Sequence, residues 1–268
     1  VEFPFFEYYL KGKGDPNLPK AVVFETGTNV WRAYDAWPPK NSEPRKLYLH
    51  SAGRLSFDLP DAGEPSAFDE YVSDPNKPVP FISEQASGMT REYMVEDQRF
   101  ASTRTDVLTW ETEPLTSDIT FAGPVSPSLS VSTSGTDSDF VVKLIDVYPP
   151  DAPNPDPNPT GVVMAGYEQL VRGEVMRGKF RDSYSQPKPF TPGQMTKIEY
   201  VMPDINHTFR RGHRIMVQIQ STWFPLVDRN PQQFEDIYSA KPDDFRKAAE
   251  RVYHSPEAQS AVTVDVLR

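Results

Sequence analysis

The sequence predicts a mainly β domain, a two-sheet sandwich or jelly roll, and three observations carry that reading. Several short segments alternate apolar and polar residues with a period of two, the mark of half-buried antiparallel strands. Proline supplies 28 of 268 residues, about twice the usual ~5%. That density disfavours a helical bundle and suits short strands joined by stiff loops. Turns rich in Pro, Gly and Asp separate the alternating segments, as they do in sandwiches and jelly rolls.

The opening residues follow a different grammar. Phe3 to Leu10 predicts a short helix: Pro4 suits a first-turn position, and Phe6, Tyr9 and Leu10 share one face. Gly12 and Gly14 end it. Ala21-Val22-Val23-Phe24 is a continuous apolar run, expected as a strand buried on both faces. Thr26-Gly27-Thr28-Asn29 and then Trp31 and Trp37 follow. A helix before a buried strand is α/β grammar, and it stops after one unit.

From about Leu47 the alternation takes over. In Ser128 to Ser134, Leu129, Val131 and Thr133 share one face. Phe140 to Val147 is a second apolar run. Ile198 and Tyr200, then Ile215, Val217 and Ile219, then Val262, Val264 and Val266 mark three further strands. A late helix is expected over Pro242 to Tyr253, because Pro242 and Asp243-Asp244 suit a helix start and Phe245, Ala249 and Val252 form a stripe. The run from Pro149 to Pro159 alternates proline with Asn and Asp, which holds it as a stiff loop. Its Asn154, Asp156 and Asn158 suggest calcium, but Pro159 and Ala165 stand where an EF-hand needs glycine and glutamate.

Charge and composition exclude several function classes. The formal charge is 28 − 38 = −10, which opposes binding to a phosphate backbone. No apolar stretch approaches the ~20 residues that span a bilayer. With no cysteine there is no disulfide framework, thiolate nucleophile or zinc ribbon. Hydrophobic content of 37% is enough for a core.

The search for chemistry is mostly negative. No Gly-x-Ser-x-Gly elbow occurs, and none of His50, His207, His213 and His254 stands in a recognisable base context. No His-Glu-x-x-His is present, and Gly12 and Gly14 lack the rest of a dinucleotide fingerprint. No metal and no cofactor are expected. The carboxylates, 38 in all, read as a solvated surface, with no positive support for a glycosidase pair. Trp31, Trp37, Trp110 and Trp223 read as core or domain-interface residues before sugar platforms.

An ordered set of phrases carries more. Asp97-Gln98-Arg99 leads into Arg104-Thr105-Asp106-Val107-Leu108, and Thr136-Asp137-Ser138-Asp139-Phe140 precedes Lys143-Leu144-Ile145-Asp146-Val147. Arg177-Gly178-Lys179-Phe180-Arg181, Phe209-Arg210-Arg211-Gly212-His213-Arg214-Ile215, Ser221-Thr222-Trp223-Phe224-Pro225 and Asp228-Arg229-Asn230-Pro231 follow in order. The series resembles the C-terminal part of the X-Pro dipeptidyl-peptidase, cocaine esterase and α-amino-acid ester hydrolase superfamily of serine hydrolases. Ile237-Tyr238-Ser239-Ala240-Lys241-Pro242 and Arg251-Val252-Tyr253 point to the ester hydrolase and glutaryl-cephalosporin acylase branch.

The resemblance implies a parent enzyme in which an α/β-hydrolase domain carries a Ser-Asp-His triad and precedes a galactose-binding-like jelly roll. It implies that residues 1–44 are the last helix and strand of the hydrolase domain and that residues 45–268 are the jelly roll. No triad member is then expected in this chain, which begins at Val1 without a signal-peptide pattern and reads as a piece of a longer protein. Met89, Arg91, Tyr93 and Met94 become candidates for a wall of the substrate cleft. Phe5, Phe6, Tyr9, Val22 and Phe24 become the face that meets the upstream hydrolase domain. Asp137 and Asp139 are expected to brace a strand start, and Arg177, Arg181, Arg211 and Arg214 to pair with carboxylates. Contacts between copies of the chain and a periplasmic or secreted location also fit the resemblance. A stand-alone carbohydrate-binding or protein-interaction module is the rival reading.

Overall fold

The computed structural model describes every residue except Val1, Pro16, Ala86, Ser87 and Met89. Helix α1 covers Glu2–Lys11 and is followed by strands β1 (Ala21–Glu25) and β2 (Val30–Tyr34). These two strands pair antiparallel, with Phe24 opposite Trp31, and make a sheet of their own. The expected strand buried on both faces is therefore one arm of a hairpin. Thr26-Gly27-Thr28-Asn29 is its turn, and Gly27 and Asn29 adopt the positive φ that such a turn demands.

The larger sheet has eight strands: β3 (Ser42–Leu49), β4 (Leu55–Ser56), β5 (Phe68–Ser73), β7 (Ile119–Thr133), β10 (Thr196–Glu199), β11 (Met202–Phe209), β13 (Ala248–Tyr253) and β14 (Ala261–Leu267). Their order is β4-β3-β14-β7-β13-β5, with β10 and β11 also paired to β7. The smaller sheet runs β6-β12-β8-β9, built from β6 (Leu108–Glu111), β8 (Asp139–Val147), β9 (Glu168–Arg177) and β12 (Arg214–Gln220). Every ladder is antiparallel. The expected boundary between residues 44 and 45 falls inside β3, which pairs with β14 along its whole length.

One apolar core lies between the two sheets. Leu47, Phe121, Leu129, Val131, Val252 and Val264 reach it from the larger sheet; Phe140, Val142, Leu144, Ile215 and Val217 reach it from the smaller. These are the inward positions that period-two alternation marks. The smaller sheet is covered on its outer face as well. The described residues of the connection from β5 to β6 cross that face as a strap. Phe81 and Ile82 of the strap pack with Trp223 on Val141, Ile145, Leu170 and Met216. Buried on both faces, β8 is mostly apolar but also carries the buried charges Asp139, Lys143 and Asp146.

The helix expected over Pro242 to Tyr253 is not there. Pro242–Asp244 forms a single 3₁₀ turn, and Ala248–Tyr253 is strand β13, between β5 and β7. Pro242 and the two aspartates do begin a helical turn, with Asp244 accepting from the Lys241 N–H at 2.7 Å. The turn has no continuation, because Ala248, Glu250 and Val252 are buried with period two.

Candidate functional site

The strap carries the residues singled out for a cleft wall, and β9 with the segment after β12 supplies the opposing side. Tyr93 packs edge-on against Trp223, with ring centroids 5.9 Å apart, and tilts onto Phe81 at 5.8 Å. Tyr93 and Met94 border a groove of about 390 Å³ whose other side is Leu170, Gly173, Val175, Trp223, Leu226 and Val227. A Cβ at Gly173 would lie 2.7 Å from the Trp223 ring, so glycine lets the indole lie flush on the strand. Met94 is half exposed and Arg91 is exposed. Met89 lies outside the described residues. The structure thus brings Tyr93 and Met94 together at one groove. Gly173, Leu226 and Val227 were not singled out from sequence, because nothing in the local pattern of β9 marks a close approach.

Beneath Trp223 lies a buried polar cluster. The Lys143 side chain projects from the outer face of β8, and its Nζ donates to Gln98 Oε1 at 2.8 Å. The same ammonium sits 5.1 Å from the Trp223 ring and 6.0 Å from Phe100. Burial pulls Lys143 down to about 7, against the charges of Glu96 and Glu168. Burial likewise pushes Glu168 up to about 7, although Ser102 donates to it at 2.9 Å. Asp97 accepts from the Arg99 side chain at 2.7 Å and from the Glu168 N–H at 3.2 Å. The Asp97-Gln98-Arg99 phrase is therefore the staple that fastens the strap to β8 and β9.

The other charged phrases are also braces. Asp137 Oδ1 accepts from the amides of Ser138 and Lys179 at 2.9 and 3.0 Å. Arg177 holds Asp139 with two nitrogens, at 3.1 and 3.0 Å, and Asn230 donates to the same carboxylate at 2.8 Å. Arg181 departs from expectation: its guanidinium donates to the carbonyls of Gly178, Lys188 and Pro189, closing a loop. At Asp118 it is Arg210 that forms the ion pair, while Arg211 contributes only its backbone N–H. Arg214 donates to the Thr112 carbonyl at 2.8 Å and lies 3.9 Å from the exposed Glu113. Loop carbonyls compete with carboxylates for arginine wherever the chain folds back on itself.

His50, His207 and His213 are engaged as structural ties, while His254 is buried with neither ring nitrogen hydrogen-bonded. His50 contacts the Glu64 carboxylate at 2.7 Å and the Asp58 carbonyl at 3.1 Å. His207 and His213 both contact Asp146, at 3.2 and 2.8 Å, and the far side of His207 meets the Thr26 hydroxyl at 2.7 Å. His254 sits 3.2 Å from Asp69. In the proline-rich loop, Asn158 accepts from the Val162 N–H and Asn154 from the Met164 N–H, so both side-chain oxygens serve the loop itself.

The N-terminal elements are the reverse of the sandwich. No residue of α1 is buried, and Phe6 and Tyr9 are 51% and 63% exposed. On the hairpin, Phe24 and Trp31 stack edge-on at 5.3 Å, with Trp31 71% exposed. Val22 is half-buried. Trp110 and Trp223 are buried, and Trp37 is half-buried with its indole N–H on Asp204.

Comparison with known proteins places the chain. The family described as the X-Pro dipeptidyl-peptidase C-terminal non-catalytic domain matches residues 13–263, and the chain belongs to that family. The cocaine esterase of Rhodococcus sp. (strain MB1 Bresler) is 30% identical over 273 residues, covering 98% of this chain and 45% of the relative. An aminopeptidase from a marine sediment archaeon, Thaumarchaeota archaeon, superimposes with a TM-score of 0.91 at 42% identity, over 100% of this chain and 43% of that one. An α-amino acid ester hydrolase superimposes with a TM-score of 0.90 at 45% identity, over 98% and 44%. The chain spans less than half the length of the relatives it matches.

Proposed function

We propose that this C-terminal non-catalytic domain serves a serine hydrolase acting on esters or amides, by docking on an upstream α/β-hydrolase domain and walling its substrate cleft. In such a parent, a serine would attack the acyl carbon with histidine as base and aspartate orienting it. This chain would supply none of the three. Its contribution would be surface: Phe5, Phe6, Tyr9, Val22 and Phe24 against the upstream domain, and Arg91, Tyr93 and Met94, with Met89, toward the substrate.

The observation that carries this reading is α1. Isolated helices shorter than about 12–15 residues are marginal in water. A ten-residue helix that buries nothing and displays Phe3, Phe6, Tyr9 and Leu10 gains stability only from a partner surface. In function, α1 and the hairpin of residues 1–44 then go with the upstream domain, while Ser42–Pro44 pair within the larger sheet of the appended domain. The burial of Trp110 and Trp223 and the place of Trp31 on the hairpin favour this over a sugar-binding module, which needs a row of aromatics open on one sheet face. No helix among the described residues is long and apolar enough to cross a membrane.

A fluorophosphonate serine probe with nitrophenyl ester turnover tests the catalytic half of the proposal. The chain alone is expected to take no label and turn over no ester. The same chain joined to its upstream domain is expected to do both. A stoichiometric label on one serine of the isolated chain, abolished by heat unfolding, overturns the reading.

A further inference from the structure

The hairpin is fastened to the sandwich by a series of hydrogen bonds that runs through the protein interior. The Thr26 amide donates to the Asn206 carbonyl at 3.0 Å, and the Thr208 amide donates back to the Thr26 carbonyl at 2.9 Å. The Thr26 hydroxyl lies 2.7 Å from Nδ1 of His207. Nε2 of His207 lies 3.2 Å from one oxygen of Asp146, and Nδ1 of His213 lies 2.8 Å from the other. His207 is 1% exposed and Asp146 0%. Tyr148 stacks on His213 at 4.4 Å and closes the far end.

The polarity of the series follows from its carboxylate. Burial opposes ionisation of Asp146, but the hydrogen bonds and charges of His207 and His213 outweigh it and hold the group below the ordinary aspartate range. An ionised carboxylate only accepts, so Nε2 of His207 carries a proton. In the neutral ring Nδ1 is then an acceptor, and the Thr26 hydroxyl donates to it.

The backbone is fitted as closely. A Cβ at Gly27 would lie 2.0 Å from the Thr208 carbonyl oxygen, so the turn lies directly on β11. Within the hairpin, Glu25 is buried, held by Arg32 at 3.2 and 3.1 Å and by the Thr28 hydroxyl. The result is a small two-stranded sheet, braced inside, anchored at its turn and also by the Tyr34 hydroxyl on the Asn206 side-chain carbonyl at 3.3 Å, that displays Phe24 and Trp31 outward.

We propose that Thr26, His207, Asp146 and His213 form a rigid joint. It sets the angle of the aromatic hairpin on the sandwich, so that a partner domain meets a pre-organised surface instead of a loose arm. These are positioning residues. The role assigned to the displayed face rests on the docking reading above; the joint itself is testable in the chain alone.

Hydrogen–deuterium exchange read peptide by peptide makes the test, on the chain as given and on Thr26→Val, Thr26→Ser and Asp146→Asn. Thr26→Val is expected to speed exchange across residues 21–34 at least tenfold, leaving β8, β12 and the melting midpoint unchanged. Thr26→Ser, which keeps the hydroxyl, is expected to restore protection, and Asp146→Asn to loosen the same residues. Unchanged hairpin exchange in Thr26→Val, or loosening shared equally by β8 and β12, overturns the joint. Loss of the docking reading would leave these exchange results intact, so the two failures are distinguishable.

Discussion

The sandwich and the N-terminal α1–hairpin unit treat the same residue types in opposite ways. In the sandwich, Phe121, Phe140 and Phe209 are fully buried; on α1, Phe3 and Phe6 are 75% and 51% exposed. Both segments form regular hydrogen-bonded secondary structure, so local structure does not separate them. What differs is whether the apolar face has a neighbour. Apolar periodicity specifies that a face must be covered, and it is silent on which part of the protein covers it.

The largest expected effect breaks the sandwich side of this contrast. Phe140→Ala removes a fully buried ring packed 6.2 Å from Phe190 and is expected to cost about 3–5 kcal/mol, measured as a lower urea midpoint. Arg177→Ala comes next. It strips Asp139, buried and held by two guanidinium nitrogens, and is expected to cost about 3 kcal/mol through an uncompensated carboxylate. Asp139→Asn in the same background is expected to recover part of that loss.

The strap offers a sharper test through pH. Lys143 titrates at about 7 in the folded chain against an ordinary 10.5. Between those values the unfolded chain holds a proton that the native one lacks, so stability rises with pH. Glu168 titrates at about 7 against an ordinary 4.5. There the native chain holds the extra proton, so stability falls as pH rises from 4.5 to 7. The two slopes meet, and strap opening by hydrogen exchange is expected to be easiest near pH 7 and to tighten on either side. Lys143→Met is expected to flatten the alkaline limb and to be neutral or stabilising by about 1–2 kcal/mol.

The smallest effect lies on the other side of the contrast. Phe6→Ala in the isolated chain is expected to change global stability by less than about 0.5 kcal/mol. In a chain that carries its upstream domain, the same substitution is expected to lower the melting midpoint. Equal effects in both settings would argue against docking through α1.

Legibility from sequence followed the same division. Strands β7, β12 and β14 were readable because one face is apolar and the other polar or paired, and α1 was readable from its stripe and its glycine stops. Strand β13 was not, because Glu250 occupies an inward position. The carboxyl is buried and pushed up to about 8 by that burial, which breaks the alternation and leaves Ala249 and Val252 to mimic a helical stripe. The hairpin was missed because β1 looks like a buried strand when its exposure cannot be seen. At the groove, Tyr93 and Met94 were singled out through resemblance. Lys143 had a local signal, a lysine flanked on both sides by apolar residues of β8, and that signal was passed over. Thr26, His207 and Asp146 are far apart in the chain, and only β11 lying against the turn brings them together.

The unequal burial of the tryptophans gives the molecule an optical readout. Trp223 lies between the backbone at Gly173 and the Tyr93 ring with the Lys143 ammonium beside it, and Trp110 is sealed with its indole N–H on the His50 carbonyl. Their emission should be blue-shifted and shielded from iodide, whereas Trp31 should emit to the red and be quenched freely. Iodide therefore darkens the hairpin while leaving the sandwich alight. A partner that covers the hairpin would protect the red component without touching the blue, so the native chain carries an unlabelled fluorescence assay for what docks on it.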